Sequence, residues 1–203
     1  MLFKKKFNPA SPPVDVSELY NADYYIPKRI GNDKIVNEWF WSDLHIDHDS
    51  CLRPRGWTGT LSEYQDHIAF LWDNVVGEND IIHLVGDIAL TWAGLRWLKD
   101  RPGKKILYMG NHDTERENTI RDLLSAYDDV RGFWRHKKGF YIGHCPSHPT
   151  ELRGKRMIHG HKHQNVIQDQ RYINVCLDLL PNGPVNIKDL VNGDYRSYKE
   201  TEQ

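Results

Sequence analysis

Five short polar clusters recur along the chain: Asp43-Leu44-His45, Gly86-Asp87, Gly110-Asn111-His112-Asp113, Gly143-His144 and Gly160-His161-Lys162-His163. Carboxylate, amide oxygen and imidazole together form a hard-to-borderline donor set, suited to Mn, Fe, Zn, Ni or Mg. Read singly, His45, His144, His161 and His163 are each a surface or core histidine. Asp43 and Asp87 are then helix or turn caps, and Asn111 a turn residue. Their ordered spacing favours joint ligation instead. Glycines beside them let the backbone turn sharply, so that neighbouring side chains aim at one point.

Such convergence needs elements that end together. Residues 35–42, 80–85 and 104–109 read as strands, with shorter ones near 131–135, 139–143, 155–158 and 171–177. Helices are expected over 62–76 with Ser62 as N-cap, over 91–100, and over 116–127 with Ile120, Leu123 and Leu124 inward; a last helical turn falls near 186–192. Strand and helix alternate early, and later strands lack intervening helices, so the pattern is α/β with mixed sheets. Ligands in such sheets gather beyond the carboxyl ends of the strands, where these clusters lie. His161 and His163, two apart in an extended segment, would reach one cavity side by side.

Residues 1–33 read as an irregular arm, packed through Tyr20, Tyr24 and Tyr25, ahead of one domain over 34–203. Lys plus Arg number 27 and Asp plus Glu 28. That balance gives no support to a broad nucleic-acid or membrane surface, so extended nucleic acid is not favoured, although a local patch stays open. There is no apolar run of membrane length and no secretory h-region. Cys51, Cys145 and Cys176 are odd in number and widely spaced, which argues against a disulfide framework or thiolate zinc site and for a reduced, cytoplasmic home.

The ordered pattern D-x-H, G-D, G-N-H-D, G-H, G-H-x-H, spread over roughly residues 36–180, resembles the calcineurin-like metallophosphoesterase superfamily, in particular its small microbial and phage members. The resemblance implies a four-layer α-β-β-α sandwich of two mixed sheets with two metals, manganese foremost, at its top. It implies that Asp43, His45 and His163 hold one metal, that Asn111, His144 and His161 hold the other, and that Asp87 bridges them. His112 becomes the acid/base histidine, with Asp113 the natural group to orient it. The implied chemistry is hydrolysis of a phosphate ester by a metal-bound hydroxide. Gly86-Asp87-Ile88-Ala89-Leu90-Thr91 lacks the arginine that protein Ser/Thr phosphatases carry after this motif, which favours a phosphodiesterase acting on a nucleotide or other small phosphodiester. The alternatives are a phosphomonoesterase, a nuclease, or a metal-binding interaction module.

Other residues have weaker signals. His48 either lines the rim or bonds a loop carbonyl. Arg53 and Arg55, beside Trp57, either clamp an anionic substrate or belong to a solvated loop. His148 lies near the metal motifs in sequence and is a candidate for substrate contact. His83, in an apolar strand, reads as a satisfied core histidine. Cys145 reads as a bystander, since no thiolate is needed.

Overall fold

The structure, a computed structural model, describes residues 36–197, so the expected arm over 1–33 lies outside the described residues. Its first strand is wholly apolar in its last three positions. Trp39, Phe40 and Trp41 of β1 (Glu38–Trp41) are all fully buried, as befits a strand covered on both faces. β2 (Ile81–Leu84), β3 (Lys104–Tyr108) and β4 (Asp129–Arg131) join it in parallel, and β9 (Val185–Asn186) adds an antiparallel edge, giving the order β4-β3-β2-β1-β9. A second sheet runs β5 (Trp134–Arg135), β6 (Tyr141–Ile142), β7 (Met157–His159), β8 (Tyr172–Asn174), with β5 antiparallel at one edge. Both sheets are mixed, and their inner residues share one core.

Helices α1 (Leu61–Asp73), α2 (Trp92–Lys99) and α3 (Ile120–Ala126) follow β1, β2 and β3 in turn. α1 buries Tyr64, Ile68 and Trp72, and the Trp72 ring lies 6.5 Å from that of Trp41. α4 (Ile187–Asn192) and the chain after it close over the second sheet, where Arg156 Nη1 donates to Leu190 O and Tyr195 OH to Asn174 O.

Two helix starts differ from the sequence reading. Thr60, not Ser62, caps α1: its hydroxyl accepts from Glu63 N while Glu63 Oε2 accepts from Thr60 N, a reciprocal capping box. α3 starts at 120 rather than 116, because the preceding loop is held elsewhere. Asn118 donates its amide to Ala89 O and Asp113 O, and Thr119 forms the cap with Asp122. Within α3 only Leu123 is buried; Ile120 and Leu124, expected inward, are 48% and 59% exposed.

The two sheets are joined where the candidate site begins. Ser42 N donates to Val175 O and Leu177 N to Ser42 O, which ties the end of β1 to the end of β8. Among the described residues, no helix is long and apolar enough to cross a membrane.

Candidate metal centre

Every polar cluster lies in a loop just past a strand, and the backbone there is unusual. Asp43, His45, Asp87, His161 and His163 all have left-handed φ values, between 48° and 69°. This conformation is uncommon outside glycine, costs about 1–3 kcal/mol per residue, and concentrates at functional sites. Here it turns Asp43 and His45 toward one cavity while Leu44 between them is fully buried in the core. The expectation of an extended segment at His161 and His163 is corrected in the same way. Both rings reach the centre from a left-handed turn, not from a strand.

The turns are possible because the neighbouring glycines leave no room for anything else. A Cβ on Gly110 would lie 2.2 Å from Asp87 Oδ1, one on Gly160 2.4 Å from Asp43 Oδ2, and one on Gly86 2.3 Å from His144 Nδ1.

Asp43 is fully buried; its carboxylate accepts from His161 N at 3.0 and 3.2 Å and from Cys176 Sγ at 2.9 Å. Asp87, 2% exposed, accepts from His112 N at 2.8 Å. Two imidazoles are oriented from outside. His144 Nδ1 lies 2.8 Å from Val85 O, and His163 Nδ1 lies 3.1 Å from Asp178 Oδ2. Assigning the ring proton to Nδ1, the atom facing an acceptor, leaves each Nε2 as an inward lone pair.

His144 Nε2 then faces Asp87 Oδ2 at 3.1 Å, Asn111 Oδ1 at 3.2 Å and His161 Nδ1 at 3.3 Å. His163 Nε2 faces Asp43 Oδ1 at 3.8 Å. A metal cation or a proton between them relieves this opposition: against the pull of burial, the Asp87 carboxylate raises the His144 pKa to about 9. His45 makes the same demand more simply. It is 5% exposed, neither ring nitrogen has a hydrogen-bond partner among the described residues, and burial, with Arg55 nearby, pulls its pKa down to about 3, so it stays neutral. A buried imidazole without a partner is costly, whereas a neutral one is a ready metal ligand. The ligand atoms of Asp43, His45 and His163 lie within 4.8 Å of one another, and so do those of Asp43, Asp87 and His144. All seven residues expected at the centre converge there, and the donor set fits divalent cations.

His112 stands beside them, 38% exposed at its side chain, with Nε2 4.0 Å from Asp87 Oδ2. Asp113 does not orient it. Its fully buried carboxylate is spent on the N–H groups of Gly110, Asp87 and Ile88 at 2.7 to 3.0 Å, holding the two motif loops together. Glu115, three residues on, meets His112 Nδ1 instead. His48 sits on the rim, its ring 5.8 Å from His45, with Arg116 Nη2 3.0 Å from its Nδ1.

Arg55 is not free to clamp a substrate. Its guanidinium donates to both oxygens of Asp178, at 3.2 and 3.0 Å, and reaches Asp43 O, Leu44 O and Tyr64. It is a buried brace under the Asp43–His45 loop. Arg53 is exposed, with no side-chain bond to the cluster among the described residues. His148 is exposed and caps the short turn Pro149–Leu152 through Thr150.

Sequence reasoning missed Asp178 and Glu115. Asp178 lies 15 residues beyond His163 and 123 beyond Arg55, outside any motif, so nothing local marks it. Glu115 had one signal: it falls one turn after a candidate acid/base residue.

No protein-family model matches the chain. It is 43% identical over 178 residues to the Gene 66 protein of Mycobacterium phage D29, spanning 70% of this chain and 88% of that protein. It is 31% identical over 179 residues to the Gene 66 protein of Mycobacterium phage L5, spanning 70% of this chain and 86% of that one. A protein of unknown function from Aquifex aeolicus, AQ665, superposes with a TM-score of 0.63 over 78% of this chain and 99% of its own at 21% identity, a likeness of fold alone. A novel archaeal phosphodiesterase aligns over 70% of this chain and 82% of its own with a TM-score of 0.40 and 19% identity, too loose an overlap to bear an argument.

Proposed function

This chain belongs to the family of the mycobacteriophage Gene 66 proteins, and from its convergent Asp, His and Asn side chains we propose that it is a metal-dependent phosphoesterase of the calcineurin-like kind, acting on a phosphodiester. The observation that carries this reading is the buried, unpartnered imidazole of His45, packed beside carboxylates and imidazoles whose lone pairs face one another. Asp43, His45 and His163 would hold one cation, Asn111, His144 and His161 the second, and Asp87 both. Two divalent cations there, manganese first among those the donors suit, supply polarisation of a phosphoryl oxygen and activation of water.

The chain's own residues account for the rest. His112 presents Nε2 toward the centre from a half-open position, where it can hand a proton to the departing oxygen. Glu115 at Nδ1 fixes the ring that does so. The diester preference is supported by the arginines. Arg55, buried beneath the loops, is already paired with Asp178, so among the described residues no guanidinium buried there is left for the extra charge of a monoester.

Manganese-dependent turnover of bis-nitrophenyl phosphate against the mono-nitrophenyl ester tests the reading. A phosphodiesterase turns over the first faster. Turnover of the second alone would make the protein a monoesterase, and turnover of neither would make it a binding module.

A further inference from the structure

The loop that follows Gly110-Asn111-His112 is fixed at both ends and carries a cation between them. At its start the Asp113 carboxylate takes three backbone amides. At its end the buried Asn118 amide donates to Ala89 O at 2.8 Å and to Asp113 O at 3.3 Å. Between these anchors Glu115 N donates to His112 O at 3.2 Å, and Arg116 follows at once. Its side chain reaches the first motif loop, where Arg116 Nη2 lies 3.0 Å from His48 Nδ1. The His48 ring is 5.8 Å from that of His45, and the His45 ring is 5.7 Å from that of His112. So the residue Arg116 bonds and the residue whose loop it shares are both neighbours of one candidate ligand.

The charge at this spot is held but not balanced. A guanidinium is a permanent cation. Because His48 Nδ1 accepts from it, the ring proton belongs on Nε2, 3.0 Å from Ser50 Oγ, and the imidazole is neutral. Glu115 is engaged by His112, and among the described residues no carboxylate comes within ion-pairing distance of Arg116. An exposed arginine ordinarily swings free in water, whereas this one is exposed and yet tied down. Tied beside donors that suit divalent cations, it adds repulsion unless an anion lies between. On the proposed reading the metals hold the reacting phosphate, so the anion left for Arg116 is a second one. His112 marks its side, since the oxygen it protonates belongs to the part that leaves.

We propose that Arg116, positioned by His48, binds a second phosphate on the leaving-group side of the reacting phosphodiester. The substrate class is then a short phosphodiester whose leaving part itself carries a phosphate, as in a dinucleotide with a terminal phosphate. This rests on the phosphoesterase reading of the centre. The guanidinium fork matches two phosphate oxygens at once, and His48 limits the freedom lost when it does so.

The test is calorimetric titration of the manganese-loaded full-length protein with thymidine 3′,5′-bisphosphate and with each thymidine monophosphate. The bisphosphate should bind roughly 5- to 30-fold more tightly than either monophosphate, an advantage between that of an exposed ion pair and that of a charged hydrogen bond. Raising the salt should shrink it. Arg116→Ala should erase the advantage, Arg116→Lys should recover part of it, and Arg116→Gln, which keeps length without charge, should recover none. In turnover, a thymidine dinucleotide with a terminal phosphate on the leaving end should exceed the unphosphorylated one in kcat/KM by a like factor, carried by KM, and Arg116→Ala should remove that difference. Equal binding of bisphosphate and monophosphates overturns the proposal, as does an advantage that survives Arg116→Ala or returns in Arg116→Gln. An equal loss of affinity for all three nucleotides in Arg116→Ala overturns it too, since the guanidinium would then act on the phosphate the metals hold. Bis-nitrophenyl phosphate turnover by the wild-type protein reports on the phosphoesterase reading separately, because the titrations need no turnover.

Discussion

On the proposed reading, single residues fall into ligands, braces and a proton donor, and each class fails differently when cut. His45→Ala removes a buried ring with no bond to lose, so it should abolish one cation site at little cost to the metal-free fold beyond a cavity. Arg55→Ala should do the reverse. Arg55 and Asp178 are 9% and 7% exposed at their side chains, and removing one leaves the other charge buried, worth about 3–5 kcal/mol of stability. Thermal unfolding separates the two variants. His112→Ala should keep both metals and lose about 10²–10⁴-fold in rate on an alkyl phosphodiester, much less on a nitrophenyl one, whose leaving group needs no proton. Equal losses on both would assign His112 to phosphate positioning instead. The candidate ligands were legible in sequence because their chemistry is tied to residue type and short spacing. Arg55 was not, because its role depends on Asp178 far along the chain. Asp113 misled for a related reason: adjacency to His112 suggested contact, but its carboxylate turns inward to three backbone amides.

The elements matter through where they stop. β1, β2, β3, β6 and β7 each end in a left-handed or glycine-bearing turn that brings a candidate ligand to the centre, and the glycines are spacers between loops. Gly110→Ala would press a methyl carbon into Asp87, side chain and backbone together, and should cost both metal content and stability. Gly132→Ala meets nothing within 4 Å and should be silent in both assays. If Gly110→Ala bound metal normally, the close packing described for the loops would be wrong. Strand positions were readable because β1, β2 and β3 are short apolar runs ending at the motifs. The start of α3 was not, since Asn118 is held by carbonyls of two other loops and periodicity carries no trace of that. Leu124 and Ile120 continue a helical apolar pattern on a face that stays exposed, so the pattern alone did not show which side meets the core.

Across the whole molecule, two mixed sheets share one core and carry the ionisable groups that set its acid tolerance. At the end of the sheets away from the centre, Glu38 takes hydrogen bonds from His136 and lies 3.5 Å from His83, which hold its carboxyl far below the usual range. Burial keeps the His83 pKa below its ordinary value despite the lift from Glu38. Both pKa values are lower folded than unfolded, so both contributions are present at neutral pH and lost on acidification. The His83 part begins to fade below about pH 6.5 and the Glu38 part below about 4.3. The melting temperature of the metal-free protein should therefore fall from about pH 6.5 downward, and His83→Phe should flatten the upper part of that decline; an unchanged slope would show that His83 does not set it. Fold class and mixed sheets were legible from the alternation of strand and helix, whereas the joining of the sheets through Ser42 and Val175 is a long-range pairing that no local pattern records. Everything else depends on the seven side chains holding two cations with Asp87 between them. Metal analysis of the full chain reconstituted with manganese tests this most directly. Two ions per chain are expected, and loss of both in Asp87→Ala, whereas a wild-type ratio of one or none, or an Asp87→Ala protein that still binds two, would contradict it.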